Sequence, residues 1–314
     1  MSATVLVTGG AGFIGSHLVQ ALLERGDRVR VLDNLSTGRQ ENLAGLDADL
    51  TLGDIRDLEV VRRAVRGVDQ IFHLAAMVSA AESMTDPLTC YSVNLSGSLN
   101  VLLAGKEAGV QGAVLASSAA VYGNAEGSVT EDSPTRPRSP YGASKLAMEG
   151  AGQLFATAYG LPVVSLRFFN AYGPRQSPDS PYAAAIPIFT RRMLAGQAPA
   201  IDGDGRQTRD FVYVGDIAQA CLLAAEKAGG TQGSLNIGGG RSISILELVD
   251  TLGRLIPGMP SATFGPPRPG DVRFSACDMT RAQQSLGYRP RIALEEGLRI
   301  TVESFREAEG SRRR

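Results

Sequence analysis

The feature that most restricts the fold is a glycine-rich turn between a short apolar run and a helical pattern. Residues 5–7 are Val-Leu-Val, as expected of a buried parallel strand. Gly9, Gly12 and Gly15 follow at intervals of three, and apolar residues recur at helical spacing over 18–23. The loop backbone can then approach a pyrophosphate, and the helix N-terminus presents unpaired N–H groups to it. Strand, glycine turn and helix in this order predict a dinucleotide site.

A second strand pattern ends in an acidic residue. Residues 29–32 read Val-Arg-Val-Leu and lead to Asp33, 18 residues beyond Gly15. A carboxylate at this place accepts hydrogen bonds from ribose hydroxyls and repels a 2′-phosphate, so we predict NAD as the cofactor. The rest of the predicted ribose loop consists of Asn34, Ser36 and Gly38. NADP remains an alternative cofactor, because the guanidinium of Arg39 could bind its 2′-phosphate.

A tyrosine and a lysine in the middle of the chain suit redox chemistry. Tyr141 and Lys145 are four residues apart, which places them on one face of a helix. A free tyrosine titrates near pH ~10, but a lysine cation and an oxidised nicotinamide would favour its phenolate. We predict that Lys145 also holds the nicotinamide ribose. Ser118 follows a strand pattern at the edge of the sheet where ligands bind, so its hydroxyl would hydrogen-bond the substrate oxygen. Together these residues predict hydride transfer at a secondary alcohol.

Strand and helix patterns alternate over the first half of the chain. The predicted strands are 4–8, 28–32, 49–52, 70–74, 112–117 and 162–167. The predicted helices are 14–24, 57–65, 87–109 and 141–159. This alternation predicts an α/β fold with a Rossmann-like, doubly wound parallel sheet.

Prolines interrupt the chain after about residue 170 and predict a smaller, loop-rich domain at the C-terminal end. We place the NAD-binding domain at 1–170 and the smaller substrate-binding domain at 171–314. A segment near 212–238, with a strand pattern around Leu235, is expected to return to the first domain.

Composition narrows the possible partners. The chain has 314 residues, and 43% of them are hydrophobic, which is enough for a large core. Its net charge is −1 and the sequence has no basic stripe, so we expect no nucleic-acid partner. Nothing resembles a signal peptide or a membrane span, so we expect no membrane partner and a cytoplasmic location. The three cysteines are far apart and indicate a reducing compartment and no metal site. His73 lies in an apolar strand end, and we interpret it as structural.

In its motifs the chain resembles the extended short-chain dehydrogenase/reductases and, within them, the UDP-sugar 4-epimerases. The resemblance extends to about residue 295. The matching segments are 8–18, 32–38, 53–57, 73–76, 93–94, 117–123, 141–145, 167–175, 207–212 and 268–271. It implies that the C4 hydride of a UDP-hexose passes to NAD and returns to the other face of a 4-keto sugar, so the cofactor stays bound. The substrate-binding domain would then hold the UDP-sugar.

The resemblance also implies roles for individual residues. Phe13 and Ile14 would lie on the pyrophosphate, and Asp54 and Ile55 would flank the adenine. The nicotinamide half and the remaining cofactor contacts would involve Leu74, Ala75, Ala76, Asn94, Ser117 and Phe169. The nucleotide diphosphate and its ribose would be held by Asn170, Arg209, Arg268 and Asp271.

A homodimer is implied as well, paired through helices 87–109 and 141–159. The apolar residues of those helices are Leu95, Leu99, Leu102, Leu103, Met148, Leu154 and Phe155.

Single positions separate the related activities. Sugar 4,6-dehydratases carry an Asp-Glu pair where this chain has Ala119 and Ala120, and UDP-glucuronate decarboxylases keep a glutamate at the second position. Ser275 falls at the family's gatekeeper position, where a serine leaves room for a 2-acetamido group. We therefore expect UDP-glucose, UDP-galactose and their N-acetylated counterparts as substrates. The alternatives are a UDP-glucuronate 4-epimerase, another NAD-dependent nucleotide-sugar modifier, or a non-catalytic NAD-binding sensor.

Overall fold

The computed structural model describes residues 2–125, 127–179, 184–227, 233–267 and 273–312. The strands of the first half are β1 (Thr4–Thr8), β2 (Arg28–Asp33), β3 (Ala48–Leu52), β4 (Gln70–His73), β5 (Gly112–Ser118), β6 (Ser128–Val129) and β7 (Val163–Phe168). Those of the second half are β8 (Asn170–Tyr172), β9 (Ala200–Asp202), β10 (Thr208–Tyr213), β11 (Gly233–Ile237), β12 (Ser242–Ser244), β13 (Thr263–Gly265) and β14 (Ala276–Cys277).

Helices connect most of these strands. Those of the first half are α1 (Phe13–Glu24), α2 (Leu58–Ala64), α3 (Ala80–Thr85), α4 (Pro87–Tyr91), α5 (Ser98–Ala108) and α6 (Pro140–Tyr159). Those of the second half are α7 (Ala185–Leu194), α8 (Val214–Glu226), α9 (Ile245–Leu255), α10 (Thr280–Leu286) and α11 (Leu294–Arg312).

Within the described residues, seven parallel strands form a large sheet in the order β11-β7-β5-β4-β1-β2-β3. The chain leaves β1 towards β2 on one side and later adds β4 on the other, so the strand order reverses between β1 and β4. Ligands of open α/β sheets bind at the carboxyl ends of the strands beside such a reversal. The glycine turn after β1 and the loop after β4 border this crevice. This is the predicted doubly wound sheet.

Two apolar layers cover the faces of the sheet. One layer packs α1 and α8 against it, with Leu18 and Leu22 fully buried. The other packs α2, α5 and α6 against the opposite face, where Leu102 and Met148 are fully buried. Burying one such side chain stabilises the fold by about 1.5–3 kcal/mol.

The helix predicted at 87–109 is not continuous. α4 ends at Tyr91, a π-helical segment spans Ser92–Gly97, and α5 begins at Ser98. Ser98 Oγ donates to the carbonyl of Asn94 at 2.6 Å, and bonds of this kind bend helices. The other predicted strands and helices begin and end within about two residues of those observed.

The second half of the chain forms a smaller group of elements beside the large sheet. β8, β10 and β12 form a short sheet, and α7, α9 and α11 pack around a separate apolar cluster. The strand expected around Leu235 is β11, which pairs in parallel with β7 at the edge of the large sheet. The segment that returns to the large sheet therefore consists of α8 and β11, while β10 belongs to the short sheet.

Candidate active site

The glycine turn after β1 packs its backbone against neighbouring segments. Gly9 has a φ of +73°, and a Cβ there would lie 2.6 Å from the backbone nitrogen of Ala75. A Cβ on Gly15 would overlap the carbonyl oxygen of Gly9, so the first turn of α1 rests directly on the loop. Side chains at these two positions are therefore excluded by backbone contacts.

The N-terminus of α1 carries no side-chain cap. Its N-cap residue is Gly12, whereas Ser139 caps α6 by accepting the N–H of Gly142. The helix opens with Phe13 and Ile14, which are both half-buried. N–H groups at a helix start lack intrahelical acceptors, and here no cap satisfies them, so they suit the pyrophosphate of NAD.

Asp33 ends β2 and is held in place by backbone groups. Its carboxylate accepts the N–H groups of Ala11 at 3.0 Å and Leu35 at 2.8 Å. A carboxylate offers about four lone-pair sites, so acceptors remain for ribose hydroxyls. A Cβ on Gly38 would lie 3.0 Å from Asp33 Oδ1, so a glycine keeps this side of the carboxylate open.

Arg39 is engaged in an ion pair with the second half of the chain. Its Nη2 lies 3.0 Å from the carboxylate of Asp179 and donates to the Ser177 hydroxyl at 3.3 Å. A guanidinium already paired with a carboxylate is a weak partner for a 2′-phosphate. This arrangement agrees with NAD as the cofactor, rather than NADP.

The predicted adenine region is linked to the ribose loop. Asn34 Nδ2 donates to Asp54 at 2.9 Å, and Asn34 Oδ1 accepts the N–H of Ser36 at 3.0 Å. The Arg56 guanidinium, 2.7 Å from Asp54, holds the pKa of that carboxyl well below its usual range. Ile55 is 4% exposed. Much of this region is therefore fixed by contacts within the protein.

The loop after β4 lies directly beside the glycine turn. The N–H of Leu74 donates to the carbonyl of Thr8 at 3.0 Å, and the N–H of Ala75 donates to the Thr8 hydroxyl at 3.3 Å. Leu74, Ala75 and Ala76 are half-buried. Their contact with the nicotinamide half of the cofactor stays a prediction.

The side chain of Asn94 holds the loop after β4 in place. Its Oδ1 accepts the N–H of Met77 at 2.8 Å, and its Nδ2 donates to the Met77 carbonyl and to Ser144 Oγ, both at 3.0 Å. The residue is 1% exposed. These bonds give Asn94 a role in positioning the loop, and its contact with the cofactor stays a prediction.

His73 is bonded at both ring nitrogens. Nδ1 lies 2.7 Å from Thr8 Oγ1, and Nε2 lies 2.8 Å from Ser98 Oγ. Burial lowers the pKa of His73 to about 3, so the ring is neutral. These contacts agree with the structural interpretation of this histidine.

Ser118, Tyr141 and Lys145 meet at the carboxyl edge of the large sheet. Ser118 ends β5, and its hydroxyl accepts the N–H of Ala120 at 3.1 Å. Tyr141 is the second residue of α6, where its N–H donates to Ser83 of α3 at 3.1 Å. The Ser118 side chain lies close enough to the Tyr141 phenol to lower its pKa. The structure thus brings together the three residues predicted to be catalytic.

The protein surroundings of Tyr141 act on its ionisation in two directions. Burial raises its pKa above the ordinary value, and the Ser118 side chain opposes the rise. Lys145 Nζ donates to the carbonyl of Ala116 at 2.7 Å, and burial lowers the pKa of Lys145 to about 8. Burial thus outweighs the other influences on the Tyr141 pKa within the protein itself. The preference for the phenolate when oxidised NAD is bound stays a prediction.

Two predicted cofactor residues face the protein interior. The hydroxyl of Ser117 donates to the carboxylate of Glu149. Phe169 is 6% exposed, and its ring centroid lies 6.5 Å from that of Tyr122. Their side chains are therefore engaged in packing and in a buried polar network, while contacts of these two residues with the cofactor stay a prediction.

Sequence reasoning missed that network, which contains Glu149 and Arg167. Glu149 follows Lys145 by four residues, just as Lys145 follows Tyr141. This repeat of the helical spacing was the available signal.

Some of the predicted substrate residues lie together. Asn170 Nδ2 donates to Ser275 Oγ at 3.1 Å and to the carbonyl of Asp210 at 2.9 Å. Arg209 Nη1 donates to the carbonyl of Thr208 at 2.8 Å. The two remaining predicted residues, Arg268 and Asp271, lie outside the described residues.

Across the described ranges, no group of three or more His, Cys, Asp or Glu side chains is placed to hold a metal ion. In the same part of the chain, no helix has the length and apolar character needed to cross a membrane.

The sequence of this chain is similar to those of known proteins over most of its length. The model of the NAD dependent epimerase/dehydratase family matches residues 5–238. The UDP-glucose 4-epimerase of Mycolicibacterium smegmatis is 40% identical over 308 residues, which cover 96% of this chain and 98% of that protein.

Solved structures are similar over the whole fold. The UDP-N-acetylglucosamine 4-epimerase of Methanobrevibacter ruminantium M1, in complex with UDP-N-acetylmuramic acid, has a TM-score of 0.94 at 37% identity, covering 98% of this chain and 99% of that one. The UDP-glucose 4-epimerase of Thermotoga maritima, with UDP-glucose, has a TM-score of 0.93 at 41% identity and the same coverage.

Proposed function

Because this chain belongs to the NAD-dependent epimerase/dehydratase family, we propose that it inverts C4 of a UDP-hexose through a transient 4-keto sugar. The observation that carries this proposal is the meeting of Ser118, Tyr141 and Lys145 beside the crevice formed by the glycine turn. The family relationship and the similar solved structures of UDP-sugar 4-epimerases support it.

Tyr141 is the proposed acid–base residue. It takes the proton from the sugar 4-hydroxyl as the C4–H bond breaks, and Ser118 hydrogen-bonds the same oxygen. When bound, NAD supplies the acceptor for the C4 hydride and later returns it. A positioned group of this kind contributes about 10²–10⁴-fold to the rate.

Lys145 supplies positive charge and hydrogen bonds beside the tyrosine. An ammonium has three N–H donors. One of them is used by the Ala116 carbonyl, which leaves donors for the nicotinamide ribose. The positive charges of Lys145 and of an oxidised nicotinamide both favour the Tyr141 phenolate, against the effect of burial.

The UDP group stays bound in one position while the sugar reorients. The proposed anchors are Asn170 and Arg209, together with Arg268 and Asp271 from outside the described residues. An arginine suits a diphosphate because its planar fork donates paired N–H bonds. With the nucleotide held, the 4-keto sugar turns over within the pocket and receives the hydride on its other face.

Ser275 supports acceptance of both plain and N-acetylated hexoses. It is half-buried, and its hydroxyl is bonded to Asn170, so a small side chain borders the proposed sugar site. Ala119 and Ala120, directly after Ser118, offer no carboxyl group for the elimination or decarboxylation chemistry of related enzymes. UDP-glucuronate 4-epimerisation and other NAD-dependent modification of nucleotide sugars are the alternative activities.

A panel of UDP-sugars tests the proposal. Purified protein is incubated separately with UDP-glucose, UDP-N-acetylglucosamine and UDP-glucuronate, and the products are identified by NMR. We expect the galactose and N-acetylgalactosamine epimers to form from the first two. Turnover of UDP-glucuronate alone would establish the alternative epimerase, and NAD binding without any turnover would establish a sensor.

We also propose a homodimer, supported by exposed apolar side chains on α4, α5 and α6. Leu88 is 83% exposed, Leu154 55% and Leu99 39%. Other apolar residues of these helices, among them Leu102, Met148 and Phe155, face the protein's own core. We further propose a cytoplasmic location, in keeping with three cysteines that form no disulfide.

A further inference from the structure

We infer that Glu149 is a positioning residue that holds the helix carrying Tyr141 and Lys145 in register with the strand end carrying Ser118. The inference rests on the proposed function, because it assigns a role relative to that catalytic group.

One carboxylate joins three neighbouring strands. Ser117 of β5 donates to Glu149 Oε1, and Ser234 of β11 donates to Oε2 at 2.9 Å. Arg167 of β7 donates from Nε to Oε1 at 2.9 Å and from Nη2 to Oε2 at 2.7 Å. β11, β7 and β5 are consecutive in the sheet, and Ser117 lies directly opposite Arg167. Glu149 therefore fixes α6 laterally across this edge of the sheet.

Arg167 extends the network to the other side of Ser118. Its Nη1 donates to the Tyr122 hydroxyl at 2.8 Å, and that hydroxyl donates to Asn236 Oδ1 at 2.6 Å. Ser117 immediately precedes Ser118, and Tyr122 follows it by four residues. The catalytic serine is thus anchored on both sides by groups that lead back to the Glu149–Arg167 pair.

The helix transmits the same constraint to the other catalytic residues. Tyr141, Lys145 and Glu149 are spaced at i, i+4 and i+8, so they lie on one face of α6. Holding the Glu149 carboxylate fixes the rotation of the helix about its axis. That rotation sets where the phenol and the ammonium point relative to Ser118.

Stability alone is a poor explanation for this cluster. Replacing a buried ion pair with apolar residues of similar size is often neutral or stabilising. A gain in stability therefore does not by itself account for the Glu149–Arg167 pair. Misplacing reacting groups by about 1 Å, in contrast, can cost on the order of 10²-fold in rate.

The charge of Glu149 also acts on Lys145. The ionisable groups that interact with Lys145 are Glu149 on its own helix, Cys90 from α4 and His73 from β4. Tyr141 lies one turn before Lys145 on the same helix. Burial lowers the pKa of Lys145 to about 8, and Cys90 and Glu149 oppose that shift. Removing the Glu149 charge lowers this pKa further, so Lys145 loses its proton at a lower pH.

The test compares Ser117→Ala, Glu149→Gln and the double variant Glu149→Met/Arg167→Met with the wild type. We expect kcat to fall at least about tenfold in the two Glu149 variants. KM for UDP-glucose should stay within about threefold, because the buried Glu149 carboxylate is bonded to protein side chains. The alkaline limb of the kcat–pH profile should move to lower pH in Glu149→Gln. Ser117→Ala should lower kcat without moving that limb, because it removes a contact but no charge.

Asp216→Asn is the matched control. Asp216 is a buried carboxylate of α8 that accepts the backbone N–H groups of Arg291 and Ile292 at 2.9 and 3.3 Å. This variant should lower Tm but leave kcat and its pH profile unchanged.

The double variant separates positioning from stability. If it recovers the wild-type Tm and also the wild-type kcat, the pair is merely structural and the inference is overturned. A wild-type kcat and pH limb in both Glu149→Gln and Ser117→Ala would overturn it as well. A wild type that epimerises no UDP-sugar would instead refute the proposed function first, and these variants would show no activity to compare.

Discussion

At the scale of single residues, the proposed acid–base group is a tyrosine whose surroundings oppose its ionisation. Burial raises the pKa of Tyr141, and the nearest ammonium, Lys145, donates to the Ala116 carbonyl. A phenolate therefore requires additional positive charge in the crevice. The oxidised nicotinamide carries such a charge and the reduced form does not, so the basicity of the site is coupled to the state of its cofactor.

Replacing Tyr141 with phenylalanine removes only the proposed base. We expect Tyr141→Phe to lower kcat by about 10²–10⁴-fold with an unchanged Tm, since the ring still packs. Steady-state kinetics with UDP-glucose and a thermal melt provide the measurement. Ser118→Ala should also be slow, but less severely if water replaces the hydroxyl. Wild-type turnover in Tyr141→Phe would show that the phenol is not the base.

Ser275 allows a second prediction about a single side chain. Ser275→Tyr should selectively lower kcat/KM for UDP-N-acetylglucosamine, because overfilling a packed site costs about 1–3 kcal/mol, or roughly 5- to 150-fold. The same variant should retain turnover of UDP-glucose. Equal losses with both substrates would contradict a gatekeeping role for this position.

At the scale of elements, the turn between β1 and α1 depends on backbone contacts. Gly15→Ala should destabilise the protein by about 1–3 kcal/mol and weaken NAD binding, because its Cβ would overlap the Gly9 carbonyl. Gly253→Ala in α9 is the control: a Cβ there meets nothing within 4 Å, so it should gain roughly 0.5–1 kcal/mol. Denaturant unfolding measures both. Equal stability of the two variants would show that the turn tolerates a side chain.

The helices α4, α5 and α6 form the element proposed to pair two copies of the chain. Leu154→Arg on α6 should yield monomers at micromolar concentration, because a charge would be buried in the interface. Phe264→Arg on β13 is the control, since Phe264 is similarly exposed, at 60%, but lies in the smaller group of elements. Light scattering gives the mass. A monomeric wild type would refute the dimer.

At the scale of the whole molecule, the proposed internal redox cycle predicts that the cofactor stays bound from one turnover to the next. We expect NAD to copurify with the protein, and free NADH not to accumulate during turnover. Denaturing the purified protein and identifying the released nucleotide measures the first, and absorbance during turnover measures the second. Stoichiometric NADP would contradict the function of Asp33, and steady release of NADH would indicate a dehydrogenase.

Sequence predicted those parts of the molecule that local patterns encode. The glycine turn, the strand end at Asp33 and the Tyr141–Lys145 pair are each encoded by a short stretch of sequence. The order of the parallel strands then predicts that they lie at the same edge of the sheet. The contacts of Ser117 and Asn94 could not be predicted, because their partners, Glu149 and Met77, lie 32 and 17 residues away along the chain. The raised pKa of Tyr141 was also missed, since burial depends on packing from several elements.

The return of α8 and β11 to the large sheet has a consequence for how such proteins diversify. Cutting the chain near residue 170 would leave α1 without its packing partner α8 and β7 with an open edge. The smaller group of elements therefore cannot be exchanged as one contiguous cassette by recombination. New substrate preferences would instead arise from point changes or loop insertions in place, with the parallel sheet inherited intact.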